Sequence, residues 1–217
     1  MADVLWNAFE LSVNLIESII IINFICKFLK NDFKSIKGKC VFGIGVFIDF
    51  CCVTVLNRLI VYEGVLGIAY IIEYFLFAAI FLKGDIQKKL FVSVIPPVVI
   101  ISVNVLVSSI ISSAFGDELQ LIYREHSIQR VLLMVFVQII IVCVFDLILK
   151  YSIVTLKKNE WRIILSVLGI SFVSLAFIHI ALINLNMDNN YIKLIMLSEL
   201  GIIVLNIVSF YMDRFTI

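Results

Sequence analysis

The feature that most constrains this chain is its punctuation. Apolar blocks of about twenty residues alternate with short charged loops, and an α-helix rising 1.5 Å per residue crosses about 30 Å of hydrocarbon in that length. Of the 217 residues, 63% are hydrophobic and 15% charged, against roughly 25% charged in soluble domains. The excess falls in the blocks, so the expected class is an all-α, polytopic integral membrane protein forming one transmembrane domain. Seven blocks stand out: 8–28, 40–60, 64–82, 90–113, 128–149, 161–185 and 191–213.

Basic residues orient the bundle, because they are retained on the cytoplasmic side. With the N-terminus outside and the C-terminus inside, 13 of the 17 Lys and Arg residues lie in cytoplasmic segments. Arg58 is expected to snorkel to the outer interface. Glu63, Asp117, Glu118, Glu125 and Asp188 all fall outside. The first block is the exception to a clean pattern: Glu10 and Glu17 lower its hydropathy, so a six-helix arrangement with that block at the interface stays open. Its leading end carries Asp3 rather than a basic residue, which argues against a signal peptide.

Composition also excludes classes. The net charge of +1 comes with no basic patch for nucleic acid. Cys26, Cys40, Cys51, Cys52 and Cys143 lie in or beside apolar blocks without CxxC or Cys/His spacing. They read as small buried hydrophobes rather than disulfides or metal ligands, and no metal or cofactor is called for. Outer loops are short, so a ligand would have to be read by helix ends and loop rims.

Ionisable residues at bilayer depth are costly and face protein or water. Asp49 and Glu73 stand near mid-membrane on consecutive helices joined by a very short turn. They predict either a site holding a proton or a cation, or a pair of hydrogen-bonded acids that fixes helix contacts. His179 and Glu199 are plausible neighbours on segments six and seven, although one histidine alone is a poor metal or catalytic site. Glu199, Asn206 and Asp213 recur every seven residues, a polar stripe suited to packing in the bundle or across a homodimer. In segment four, Pro96-Pro97 predicts a kink. Ser108, Ser109, Ser112 and Ser113 permit close helix contact.

A bundle of about 200 residues with short outer loops, an outside N-terminus and a last helix aimed into the cytoplasm resembles the membrane half of the AgrC-type peptide-pheromone receptor kinases of Gram-positive bacteria, whose kinases carry GHKL-type ATP-binding domains. The Ile-, Phe-, Lys- and Asn-rich texture is similar, and no specific motif carries the likeness. It implies a plasma-membrane, quorum-sensing receptor region of a two-component system. A small extracellular peptide would be read at rim residues Tyr62, Glu63, Tyr123, Arg124 and His126, and segment seven would pass the signal to an output domain absent here. No phospho-accepting helix or ATP box follows Ile217, so the chain as given is not expected to be an enzyme. The rival expectation is a small transporter or substrate-capturing subunit, supported by the midplane acids and the Pro-Pro pair. A third, an intramembrane peptidase, lacks a Cys beside His126 or His179.

Overall fold

The computed structural model describes residues 2–59, 63–115, 127–151 and 174. Within them the chain is helical: α1 (Ala2–Phe28), α2 (Ile36–Leu59), α3 (Glu63–Phe81), α4 (Ile86–Phe115) and α5 (Ile128–Tyr151). These correspond to the first five apolar blocks. Segments six and seven, Ser174 apart, lie outside the described residues, and with them His179, Glu199, Asn206 and Asp213.

Local chemistry sets the helix ends. Ser35 caps α2, its Oγ accepting from Gly38 N–H at 3.0 Å, and Ser127 caps α5 by accepting from Arg130 N–H at 3.1 Å. These caps explain why α2 begins at Ile36, four residues before the apolar block. α1 closes with a Schellman pair, Asn31 N–H to Cys26 O (2.8 Å) and Lys30 N–H to Lys27 O (3.1 Å). Lys30 takes the left-handed position at φ 55°, where glycine is the usual choice.

Among the described residues, four helices are long and apolar enough to cross a membrane: Asp3–Phe28, Ile36–Asn57, Ile86–Ser108 and Ile128–Lys150, with Leu66–Phe81 a shorter apolar helix. Their outward faces are apolar at helical spacing. On α3 the stripe is Ile68, Ile72, Leu76 and Ile80, all more than half exposed. A surface of this kind is unsuited to water and suited to lipid. This is a membrane protein. Cys40, Cys51 and Cys143 are exposed and only Cys26 is buried, so burial describes one cysteine of the five. All five are free thiols.

The helices form a ring in chain order. Neighbours pack α1–α2, α2–α3, α3–α4, α4–α5 and α5–α1, and α1 also touches α4 across the middle. Ile21, Ile22, Phe24 and Ile25 of α1 and Phe91, Val92 and Ile95 of α4 enter one core. α1 therefore packs into the bundle with the other described helices. It runs parallel to α5, because three contacts advance together: Glu10–Arg130, Glu17–Gln138 and the stacked rings Phe24–Phe145 at 4.3 Å. The two glutamates that depress its hydropathy are thus matched across the seam. α4 continues as one helix through Pro96-Pro97, both buried. Ser108 is buried there; the side chains of Ser109, Ser112 and Ser113 lie outside the described residues.

Lys27, Lys30, Lys34, Lys37, Lys39, Lys83, Lys88 and Lys89 gather at the end bearing the α1–α2 and α3–α4 turns. The two turns meet there, Gly84 lying against Leu29.

Candidate functional site

Asp49 lies about 20 Å along α2 from Ile36 and about 15 Å from Leu59, close to mid-helix. Its side chain is 0% exposed. Ser18 of α1 and Tyr74 of α3, both fully buried, are its polar neighbours, yet neither carboxylate oxygen receives a hydrogen bond. Ser18 Oγ instead donates to its own helix, to Asn14 O at 2.9 Å.

Two rungs hold α2 against α3 on either side of Asp49. Toward the lysine-rich end, Gly45 sits one turn below it, so close to Phe77 and Ile22 that an added Cβ would lie 2.6 Å from Phe77 Cζ and 2.9 Å from Ile22 Cγ2. Only glycine admits that three-helix contact. Toward the opposite end, Tyr70 donates its hydroxyl to Asn57 Oδ1 at 3.0 Å. Between the rungs, Glu73 is one turn from Phe77 and one from Tyr70, which puts it level with Asp49. The two carboxyls are electrostatic neighbours, and the Cys52 thiol stands beside Glu73. Glu73 Oε2 has no partner.

The polar layer continues across the bundle. Glu17, beside Ser18 on α1, lies within electrostatic range of Tyr70 and Tyr74 and accepts from Gln138 Nε2 of α5 at 3.3 Å. Gln138 Oε1 and Thr54 Oγ1 are further buried oxygens without partners. The layer therefore holds three acids from three helices. Every described Lys and Arg stands about 12 Å or more away along the helix axes: the lysines gather at one end, and Arg130 pairs with Glu10 at the other. Such a layer can hold a proton or a small cation, which would relieve the repulsion and desolvation that the protein leaves uncompensated.

A second polar group occupies the end opposite the lysines. Arg130 Nη2 donates to Glu10 Oε1 at 2.6 Å, and its guanidinium lies 5.7 Å from the Trp6 ring centroid. Both charged side chains are less than one-third exposed.

Of the candidate residues read from sequence, Asp49 and Glu73 are brought to one level. Glu63 opens α3 with its side chain outside the described residues, as is that of Arg58. Tyr62, Tyr123, Arg124, His126, His179, Glu199 and Asn206 also lie outside them. Sequence reasoning missed Ser18, Tyr74 and Cys52, and took Glu10 and Glu17 only as a hydropathy defect. Their seven-residue spacing, the same as in the 199/206/213 stripe, was the available signal. Among the described residues no group of three or more His, Cys, Asp and Glu side chains could hold a metal ion.

In comparisons with protein-family models, curated proteins and solved structures, nothing matches this chain.

Proposed function

We propose that the chain is a multi-pass plasma-membrane protein that binds a proton or small cation among its helices and moves it, as a small transporter or a subunit of one. The observation carrying this reading is Asp49: fully buried at mid-helix, with neither carboxylate oxygen hydrogen-bonded. A carboxylate kept in that state for structure alone is expensive, whereas buried charges are a recurrent feature of transport sites. The Pro-Pro pair adds nothing, because α4 runs through it unbroken. In this reading the lysine-rich end is cytoplasmic and the N-terminus outside, with seven helices in the whole chain. Reconstituted into liposomes, the protein should dissipate an imposed proton or sodium gradient. Asp49→Asn and Glu73→Gln should each slow this at least roughly tenfold, the effect of about 1.4 kcal/mol. Equal rates for these variants and the parent chain would sink the reading.

One observation favours the sensor alternative. The Glu10–Arg130–Trp6 group sits next to Ser127, at the rim where the resemblance to AgrC-type receptors implies that a peptide is read. A ligand displacing Arg130 would act on α1 and α5 together, through their parallel seam. The protein would then work as a homodimer whose last helix drives an output domain. Fusion of residues 1–217 to a heterologous kinase core tests this; no response to culture supernatant would count against it.

A further inference from the structure

We infer that the Asp49–Glu73 layer is a binding site for one monovalent alkali cation of sodium size, with Asp49 as principal ligand and Glu73, Ser18 and Tyr74 completing an oxygen shell. The inference rests on the ion-binding reading above and names its ion.

Three observations select an alkali cation. First, two carboxyls sharing a proton are hydrogen-bonded to each other, whereas neither Asp49 oxygen nor Glu73 Oε2 has a hydrogen-bond partner. Oxygens gathered around a hard cation at about 2.3–2.6 Å do not bond to one another. Second, the groups around Asp49 are hydroxyl and carboxylate oxygens from two helices, Ser18 of α1 and Glu73 and Tyr74 of α3, a hard set suited to alkali and alkaline-earth ions rather than to soft metals. The thiol of Cys52 stands beside Glu73. Third, a divalent ion normally collects more charge than the two carboxyls Asp49 and Glu73 bring, and among the described residues no group of three or more His, Cys, Asp and Glu side chains could hold a metal ion.

The layer is also asymmetric along the membrane normal. Toward the lysine-rich end it is floored by Ile22, Gly45 and Phe77, packed too closely for even a methyl group. Toward the other end the buried Val53 and Leu66 are accompanied by polar groups, Cys52 followed by Tyr70 hydrogen-bonded to Asn57, and Asn57 is exposed. A cation therefore enters from the α2–α3 turn end, away from the repelling lysines.

The test is the thermal unfolding midpoint of the full chain in detergent, in sodium, lithium, potassium or choline chloride at fixed ionic strength. A ligand that binds only the folded state raises the midpoint saturably. Sodium should do so relative to choline. Glu73→Gln should raise the half-saturating sodium concentration by roughly tenfold or more, one lost charged ligand at about 1.4 kcal/mol per decade. Asp49→Asn should abolish the sodium response while unfolding above the parent chain in choline, because it removes an uncompensated charge. Ser18→Ala keeps both acids and covers the case in which Asp49→Asn fails to fold: its sodium half-point should rise. Equal midpoints of the parent chain in sodium and choline overturn the inference, as does a midpoint that answers to pH alone. A sodium-dependent midpoint in a chain that carries no flux upholds the site and overturns the transport reading.

Discussion

Gly43 and Gly45 lie two residues apart on α2 and should respond oppositely to the same substitution. Alanine is the better helix former at both, by roughly 0.5–1 kcal/mol. At Gly43 a new Cβ meets nothing within 4 Å, so Gly43→Ala should be neutral or gain that amount. At Gly45 the Cβ would stand 2.6 and 2.7 Å from Phe77 Cζ and Cε2, and 2.9 Å from Ile22 Cγ2. Phe77 is 4% exposed and Ile22 1%, so neither side chain can swing clear, and α1 or α3 must withdraw. Overpacking of this kind costs about 1–3 kcal/mol. Less the propensity gain, Gly45→Ala should lose up to about 2.5 kcal/mol, and the two variants should differ by about 1–3 kcal/mol. Unfolding titrations in mixed micelles measure both. Adding Phe77→Leu, which shortens the blocking ring, should return about 1 kcal/mol beyond additivity. If the two glycine variants unfold alike, the three-helix junction is not packed as described, and the acid layer above it has no floor.

Three further outcomes follow from the same contacts. In a double-mutant cycle of Glu10→Gln with Arg130→Gln, unfolding should show a coupling of about 1–2 kcal/mol, above the usual surface pair because both groups are largely sheltered; zero coupling would mean that the 2.6 Å contact contributes nothing. Lys30→Gly should stabilise by about 1 kcal/mol, since it relieves a left-handed residue at the end of α1, and a loss would show that the lysine side chain matters more than its backbone strain. Ser35→Ala should cost about 1 kcal/mol through the lost cap on α2, with Ser35→Asp largely restoring it; failure of the aspartate would argue against capping.

The five described helices were legible in advance because hydrophobic length is a local property. Their ends were less so. α1 reaches back to Ala2, over polar residues that hydropathy alone discounts. The reason it can do so is non-local: Glu10 and Glu17 are satisfied by Arg130 and Gln138 of α5, some 120 residues away, and no window along the chain contains that pairing. Asp49 and Glu73 could be placed at one depth from helix length and the short turn between their helices. That Ser18 and Tyr74 would converge on Asp49 depends on how α1 and α3 are rotated, which Gly45 decides by admitting Ile22 and Phe77 together. Pro96-Pro97 lies inside α4, which runs unbroken from Ile86 to Phe115. Both rings sit in the buried stretch of α4, where packing carries the helix through.

The central claim is that a cation completes the shell of Asp49, whose oxygens accept no hydrogen bond although Ser18 and Tyr74 stand beside them. Equilibrium binding of radioactive sodium to the purified chain tests this most directly. The account predicts saturable binding of one ion per chain, displaced by excess unlabelled sodium and absent from Asp49→Asn. No saturable binding to the parent chain, or equal binding to Asp49→Asn, would contradict it.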